Sequence, residues 1–114
     1  MNSEKWSVFF TKSALKDLKK LDGSLKKIVL KAIDKVSTNP LPKNEGGYGK
    51  PLGNKNGNNL SGLLKIKLKD SGIRIIYQLM KTEHGIEIVI IGARSDNEVY
   101  EQAEKRLEHD KNTH

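Results

Sequence analysis

The spacing of hydrophobic residues changes several times along the chain, and each spacing predicts one element. Residues 5–10 are rich in β-branched and aromatic side chains and predict a short strand. From Thr11, the expected N-cap, apolar residues recur every three or four positions and predict a helix. The apolar stripe of this helix is formed by Ala14, Leu15, Leu18 and Leu21.

A second helix is predicted after a break at residues 22–24, where Gly23 suits a left-handed helix end. Its apolar face consists of Leu25, Ile28, Val29, Ala32, Ile33 and Val36. Lysines occupy the opposite face, at Lys26, Lys27, Lys31 and Lys35. Two amphipathic helices with so short a connection pack as an antiparallel hairpin.

Residues 39–62 follow neither the helical nor the strand period. They contain all three prolines and six of the ten glycines of the chain. A loop this long is uncommon in a compact domain and is usually functional or disordered. The Gly-rich segment 46–50 fits neither of the common phosphate-binding patterns, so we predict a mobile loop here and no nucleotide site.

Strict alternation of apolar and polar residues returns at 64–69 and again at 73–79, with the turn signal Asp-Ser-Gly between them at 70–72. Both strands bury one shared face only if Leu68 lies opposite Ile73, because a slip by one residue would turn half of the apolar set to water. The side chains expected on the other face of the second strand are Arg74, Ile76 and Gln78.

This register places Lys67 directly opposite Arg74, with Lys65 on the same face. Like charges at directly opposed positions destabilise a sheet by about 0.2–1 kcal/mol. Lysines that keep an exposed sheet soluble account for Lys65 but account less well for the pairing with Arg74. A cationic sheet face that receives a phosphodiester accounts for both.

The apolar run 86–91 predicts a central strand covered on both sides, joined to the preceding strand by a hairpin at 82–85. Ser95 and Glu98 have the spacing of a capping box, which predicts a C-terminal helix. We therefore expect a single α+β domain over residues 1–114, ending in a polar tail at 109–114. In this fold a small antiparallel sheet of about four strands has the N-terminal helical hairpin and the other helices on one side.

Charge is distributed unevenly over this domain. Residues 1–81 contain 17 basic and 6 acidic side chains, a net charge of +11, whereas residues 82–114 contain 4 and 8, a net charge of −4. Such a basic surface suggests a polyanionic partner. The chain has no cysteine and only three dispersed histidines, and neither a membrane span nor a signal peptide is recognisable. We expect a soluble, cytoplasmic protein without a metal site.

Segments 64–79 and 88–107 resemble the C-terminal half of the RelE toxins of bacterial toxin–antitoxin pairs, and residues 10–33 are similar to the helical hairpin of that family. The resemblance implies a ribosome-dependent endoribonuclease that cuts messenger RNA in the decoding site, uses no cofactor, and is held by a RelB-like antitoxin. It also implies five active-site residues, which are Lys65, Lys67, Arg74, Arg94 and Tyr100.

These residue types suit RNA cleavage through the substrate's own 2′-hydroxyl. Tyr100 is the expected general base, aided by Lys65 and Lys67. Arg74 and Arg94 are expected to hold the phosphate oxygens, and family analogy makes Arg94 the nearest donor to the leaving 5′-oxygen. Further lysines expected to bind messenger or ribosomal RNA are Lys26, Lys27, Lys31 and Lys69.

Two alternatives to a ribonuclease remain open at this point. The sister ParE-like branch shares the fold, inhibits DNA gyrase without cutting RNA, and lacks most of the five residues. A non-catalytic basic RNA-binding module is the other alternative. It does not need a tyrosine beside paired arginines, and the chain has few aromatic residues on which bases could stack.

Overall fold

The computed structural model describes residues 5–55, 58–95, 98–99, 101–103 and 105–106, with the backbone alone described at 54–55 and 58–61. The helices are α1 (Lys12–Lys20) and α2 (Gly23–Val36), and the strands are β1 (Ser7–Phe10), β2 (Lys50–Lys55), β3 (Asn58–Lys67), β4 (Arg74–Met80) and β5 (Gly85–Ala93). Short 3-10 helices span Lys43–Glu45 and Lys81–Glu83. The described residues from 98 to 106 are helical.

The strands form one sheet in the order β1-β5-β4-β3-β2. β1 runs parallel to β5, and every other neighbouring pair is antiparallel. The prediction of an antiparallel sheet of about four strands was therefore wrong in its count and in the direction of β1. Alternation of side chains reports which face a residue occupies and carries no information on strand direction, so the sequence pattern could not show that β1 is parallel.

The fifth strand comes from the segment that was predicted as a loop. The loop prediction for 39–62 was wrong in its second half, which forms β2 and the first residues of β3. Pro51 and Gly53 indicated a break, but β2 is an edge strand, where a proline needs no ladder partner for its missing N–H. A register irregularity between Pro51 and Gly53 accommodates both residues in the strand.

The first half of that segment is irregular but is fixed to the core by Tyr77. The buried Tyr77 hydroxyl donates a hydrogen bond of 2.7 Å to the carbonyl of Pro40. Gly49 approaches the same phenol so closely that a Cβ there would overlap its oxygen. Burial raises the pKa of the Tyr77 hydroxyl, which keeps it protonated as a donor.

Both predicted helices form, and their caps explain where they begin. Thr11 Oγ1 accepts from the Ala14 N–H at 3.0 Å, as predicted, and Asp22 accepts from the Leu25 N–H at 2.9 Å. Gly23 is the first residue of α2 and has no left-handed conformation, so its prediction as a helix end was wrong because Asp22 starts a new helix there. Within the described residues, no helix is long and apolar enough to cross a membrane.

The two helices cover one face of the sheet. The buried core between them and the sheet consists of Ala14, Val29, Ile33, Val36, Leu64, Ile75, Tyr77, Ile86, Ile88 and Ile91. Leu15 and Ile28 were predicted to face this core, but they are 41% and 48% exposed. Their apolar stripes are wider than the surface that each helix buries, because α1 and α2 contact the sheet along one side only.

The opposite face of the sheet has its own apolar cluster, so the expectation of helices on one side only was wrong. This second cluster consists of Leu63, Ile76, Val89, Ile90, Ala93, Val99 and Ala103. Val99 and Ala103 belong to the C-terminal helical segment, which therefore packs on the face away from α1 and α2. Ile76, predicted to point outward, is buried beneath this segment. β5 is covered on both sides, as its continuous apolar run predicted.

Candidate active site

A tight turn between β3 and β4 is the framework of the site. The predicted register is confirmed: Ile66 pairs with Ile75, and the Leu68 N–H donates to the Ile73 carbonyl at 2.8 Å. The Gly72 N–H closes the turn onto the Leu68 carbonyl at 2.9 Å. Gly72 has a φ of +73°, a conformation that glycine adopts without strain.

Two arginine side chains converge on this turn. Arg74 Nη1 donates to the Gly72 carbonyl at 3.1 Å, and Arg94 Nη1 donates to the Ser71 carbonyl at 2.9 Å. Arg74 is only 9% exposed, whereas Arg94 is exposed. The carbonyls of two consecutive turn residues thus orient both guanidinium groups. Arg74 is the first residue of β4, and Arg94 directly follows the last residue of β5.

The lysines of β3 lie beside these arginines. Lys67 is directly opposite Arg74 in the β3–β4 ladder, as predicted. Lys65 lies two residues before Lys67 in β3, on the same face of the sheet. Lys65 has a second neighbour that the sequence reasoning missed, because β2 places Lys50 directly opposite it. We call the set Lys50, Lys65, Lys67 and Arg74 the cationic sheet face.

A bulge in β5 explains why Arg94 reaches this end of the sheet. Arg74 pairs with Ala93, but the next residue of β4, Ile75, pairs with Ile91, so Gly92 is an extra residue in β5. Gly92 has a φ of +106°. The bulge turns Ala93 onto the face of Arg74 and redirects the chain that follows it, which is a common role of bulges near functional sites.

The segment after Arg94 begins with the predicted cap. Ser95 Oγ accepts from the Glu98 N–H at 3.2 Å, and the Glu98 carboxylate accepts from the Arg94 N–H at 3.2 Å. Tyr100, the expected general base, lies outside the described residues. Its neighbours Val99 and Ala103 are buried in the second cluster.

An ion pair between distant parts of the chain holds this C-terminal segment, and the sequence reasoning missed it. Arg106 donates to both carboxylate oxygens of Asp17 on α1, at 2.9 and 3.1 Å, and to the Val89 carbonyl at 2.6 Å. Asp17 also accepts from the Ile91 N–H at 3.0 Å. The pair therefore occupies the edge of β5 beyond the end of β1, and it connects α1, β5 and the C-terminal segment.

The three predicted lysines of α2 are not brought into this site, whereas Lys69 lies in the β3–β4 turn itself. Lys26, Lys27 and Lys31 lie on α2, which packs on the other face of the sheet. Lys69 is exposed in the turn that follows β3. In the part of the chain that the structure describes, no three histidine, aspartate or glutamate side chains form a group that could hold a metal ion.

A family model described as the ParE toxin of the type II toxin–antitoxin system parDE matches residues 8–98. The chain belongs to the RelE/ParE toxin family. Among curated relatives, the mRNA interferase toxin RelE of Escherichia coli K12 is 29% identical over 98 residues, covering 86% of this chain and 93% of that protein.

Solved structures of RelE/ParE toxins share this fold. A double arginine-to-alanine mutant of Escherichia coli RelE in the free state has a TM-score of 0.68 at 25% identity, covering 91% of this chain and 99% of that one. A chain of the toxin–antitoxin complex RelBE2 of Mycobacterium tuberculosis has a TM-score of 0.64 at 25% identity, covering 80% and 100%. The α+β class expected from the sequence is confirmed, with five strands in place of about four.

Proposed function

We propose that this member of the RelE/ParE family is an endoribonuclease that cuts messenger RNA on the ribosome. The observation that carries the proposal is the convergence of Arg74 and Arg94 on consecutive carbonyls of one turn, with Lys67 directly opposite Arg74. A similar protein, 29% identical, is named an mRNA interferase. Three cations at one end of a sheet form a site for a group whose negative charge increases during reaction.

The reaction follows from the RNA's own chemistry. The 2′-oxygen attacks the adjacent phosphorus and gives its proton to the phenolate oxygen of Tyr100, the bond from phosphorus to the 5′-oxygen breaks, and the 5′-oxygen takes up a proton as it leaves. The products are a 2′,3′-cyclic phosphate and a 5′-hydroxyl. The positive charges of Lys65 and Lys67 stabilise the phenolate form of Tyr100, and Arg94 is the nearest donor to the leaving oxygen by analogy with the family.

The arginines contribute by being held in place before the substrate arrives. Arg74 is nine-tenths buried and bonded to the turn, so its guanidinium needs little reorganisation as charge develops on the phosphorane. A guanidinium binds two phosphate oxygens with its planar fork, which a lysine cannot do. In this proposal these cations take the role that a magnesium ion has in other nucleases.

The same proposal includes a cognate RelB-like antitoxin. The chain carries a net charge of +11 over residues 1–81, and a similar solved structure is a toxin–antitoxin complex. An antitoxin with acidic residues would neutralise this surface, so its affinity should fall as salt rises. Lys26, Lys27, Lys31 and Lys69 are proposed to contact ribosomal or messenger RNA.

Mapping RNA 5′ ends after induction of the protein in cells tests the function. New 5′-hydroxyl ends within translated codons are expected, and they should disappear when initiation is blocked. A DNA gyrase cleavage assay runs in parallel, because the matching family model is described as ParE and a gyrase inhibitor is the second candidate. Gyrase-linked DNA breaks without new RNA ends would overturn the ribonuclease, and ribosome binding without either would indicate a non-catalytic RNA-binding module.

A further inference from the structure

The edge strand β2 adds a lysine to the cationic sheet face. Lys50 pairs directly with Lys65, so their side chains project from the same face of the sheet. Leu52, two residues further on, packs against the second apolar cluster, and residues two apart in a strand share a face. Both observations place Lys50 on the face that carries Lys67 and Arg74.

The four cations form a diagonal row across three strands. Arg74 and Lys67 make one cross-strand pair, and Lys65 and Lys50 make the next pair along β3. With strands about 4.8 Å apart and a rise of about 3.4 Å per residue, the backbones at the two ends of the row are about 12 Å apart. This span exceeds one phosphodiester unit, so the row is long enough to extend from the phosphate that Arg74 holds to the neighbouring phosphate.

The edge strand adds a second pair of like charges at directly opposed positions. Lys50 opposite Lys65 repeats the arrangement of Lys67 opposite Arg74. Lys50 is exposed, and it could be replaced by a neutral residue without loss of packing. A polyanion that binds along the row would be attracted by the charges of all four side chains.

We propose that Lys50 binds the phosphate next to the scissile one, so that the row from Arg74 to Lys50 follows the backbone of the messenger RNA. This inference rests on the proposed ribonuclease function. Lys50 is a substrate-binding residue in this scheme and takes no part in the chemical step. The arginine end of the row holds the reacting phosphate, and the lysine end holds its neighbour.

The test compares Lys50→Gln with Lys12→Gln, an exposed lysine of α1 on the other side of the sheet. In single-turnover cleavage on programmed ribosomes, Lys50→Gln should raise the half-saturating ribosome concentration by about two- to fivefold, the upper part of the range for one exposed ion pair. The rate at saturation should not change. Lys50→Arg keeps the charge and should have the wild-type half-saturating concentration. Lys12→Gln should have the wild-type half-saturating concentration and the wild-type rate at saturation.

Salt dependence provides a second readout. Loss of one phosphate contact on single-stranded RNA should reduce the slope of log affinity against log salt by about 0.7. Binding is measured by fluorescence anisotropy with an RNA carrying a 2′-deoxy residue at the cut site, which needs no cleavage. Lys50→Gln should fold at least as stably as the wild type, because the like-charge pair is removed.

The outcomes separate this inference from the function on which it rests. If the wild type cuts no RNA, the proposed function fails and the anisotropy titration alone decides the role of Lys50. Equal RNA affinity and equal salt slope for Lys50→Gln and the wild type overturn the inference. A lower rate at saturating ribosomes also overturns it, since that result would place Lys50 in the chemical step.

Discussion

Two lysine-rich surfaces lie on opposite sides of this molecule, and they are built differently. On α2, Lys26, Lys27 and Lys31 project from a helix whose buried side faces the sheet. On the cationic sheet face, Lys67 and Arg74 are forced together by strand register, and Arg74 is buried against a turn. The first surface has charge without a fixed arrangement, and the second has charge in a fixed arrangement.

The difference shows that net charge alone does not identify a reaction site. Lysines on an exposed helix keep their rotamer freedom and attract a polyanion over a distance of about one Debye length. Opposed cations on a sheet destabilise the fold slightly, and hydrogen bonds to backbone carbonyls hold the guanidinium groups of Arg74 and Arg94. Only in the second arrangement does the fold hold guanidinium groups in position, which stabilising a charge that develops at one atom requires.

The largest effect is expected at the proposed general base. Tyr100→Phe removes only the hydroxyl, and the single-turnover rate of cleavage should fall by about 10²–10⁴. The measurement uses programmed ribosomes at saturation, with the 2′-deoxy substrate as the inert control. If Lys67 is the base, Tyr100→Phe should retain most of its activity and Lys67→Ala should lose it. Cleavage of the 2′-deoxy substrate would contradict either base, because no 2′-proton would be removed.

A somewhat smaller loss is expected for Arg94. Arg94→Ala should lower the saturated cleavage rate by about 10²–10³, the usual effect of removing one donor to a transition state. Arg94 is exposed, so its truncation removes a charge and no core packing. A thermal melt within a degree or two of the wild type checks this point, and a fully toxic Arg94→Ala would remove Arg94 from the site.

Arg74 needs a different substitution because it is buried. Sequence patterning placed both arginines outside the apolar faces, but Arg74 is only 9% exposed and donates a hydrogen bond to the Gly72 carbonyl. Arg74→Ala would leave the turn carbonyl without this donor and lower stability as well as activity. Arg74→Lys keeps the positive charge and loses the planar pair of guanidinium donors. A comparison of its free energy of unfolding and its saturated cleavage rate with those of Arg94→Lys separates the loss of stability from the loss of activity.

Two ion pairs extend the comparison to stability. Asp17 and Arg106 have side chains 15% and 22% exposed, whereas the Lys5–Asp34 pair at α2 is 66% exposed at Asp34 and 52% at Lys5. Asp17→Ala should lower the free energy of unfolding by about 2–3 kcal/mol, since it also leaves the Ile91 N–H unpaired. Asp34→Ala should cost less than about 1 kcal/mol. Urea denaturation of both variants measures these free energies of unfolding. Equal losses would contradict the distinction between the mostly buried ion pair and the exposed one.

Alternation could predict the register of β3 and β4 because both strands bury the same face. The continuous apolar run of β5 could not predict its bulges, since a run that is buried on both sides gives no signal when Val89 or Gly92 is inserted. The strand β2 was hidden by Pro51 and Gly53, although the Asn-Gly dipeptide at 56–57 is a hairpin signal that could have revealed it.

In the candidate site, too, contacts set by local strand pairing could be predicted from the sequence, and contacts set by non-local packing could not. Lys67 and Arg74 follow from local pairing across a four-residue turn, so the sequence pattern was enough to place them together. Asp17 and Arg106 are 89 residues apart, and only the packing of the C-terminal segment against α1 brings them into contact. Lys50 joins Lys65 through a strand that the pattern did not predict. Contacts set by non-local packing leave no period in the sequence.

The smallest effect is expected on α2. The triple variant Lys26→Gln, Lys27→Gln and Lys31→Gln preserves helix propensity and removes three charges. It should raise the half-saturating ribosome concentration about threefold at low salt, because it weakens only the long-range attraction. At about 0.3 M salt the difference should vanish, and the saturated cleavage rate should equal that of the wild type at every salt concentration. A loss at saturation comparable to that of Arg94→Ala would mean that the helix surface also reaches the reacting phosphate, and the two surfaces would then form one site.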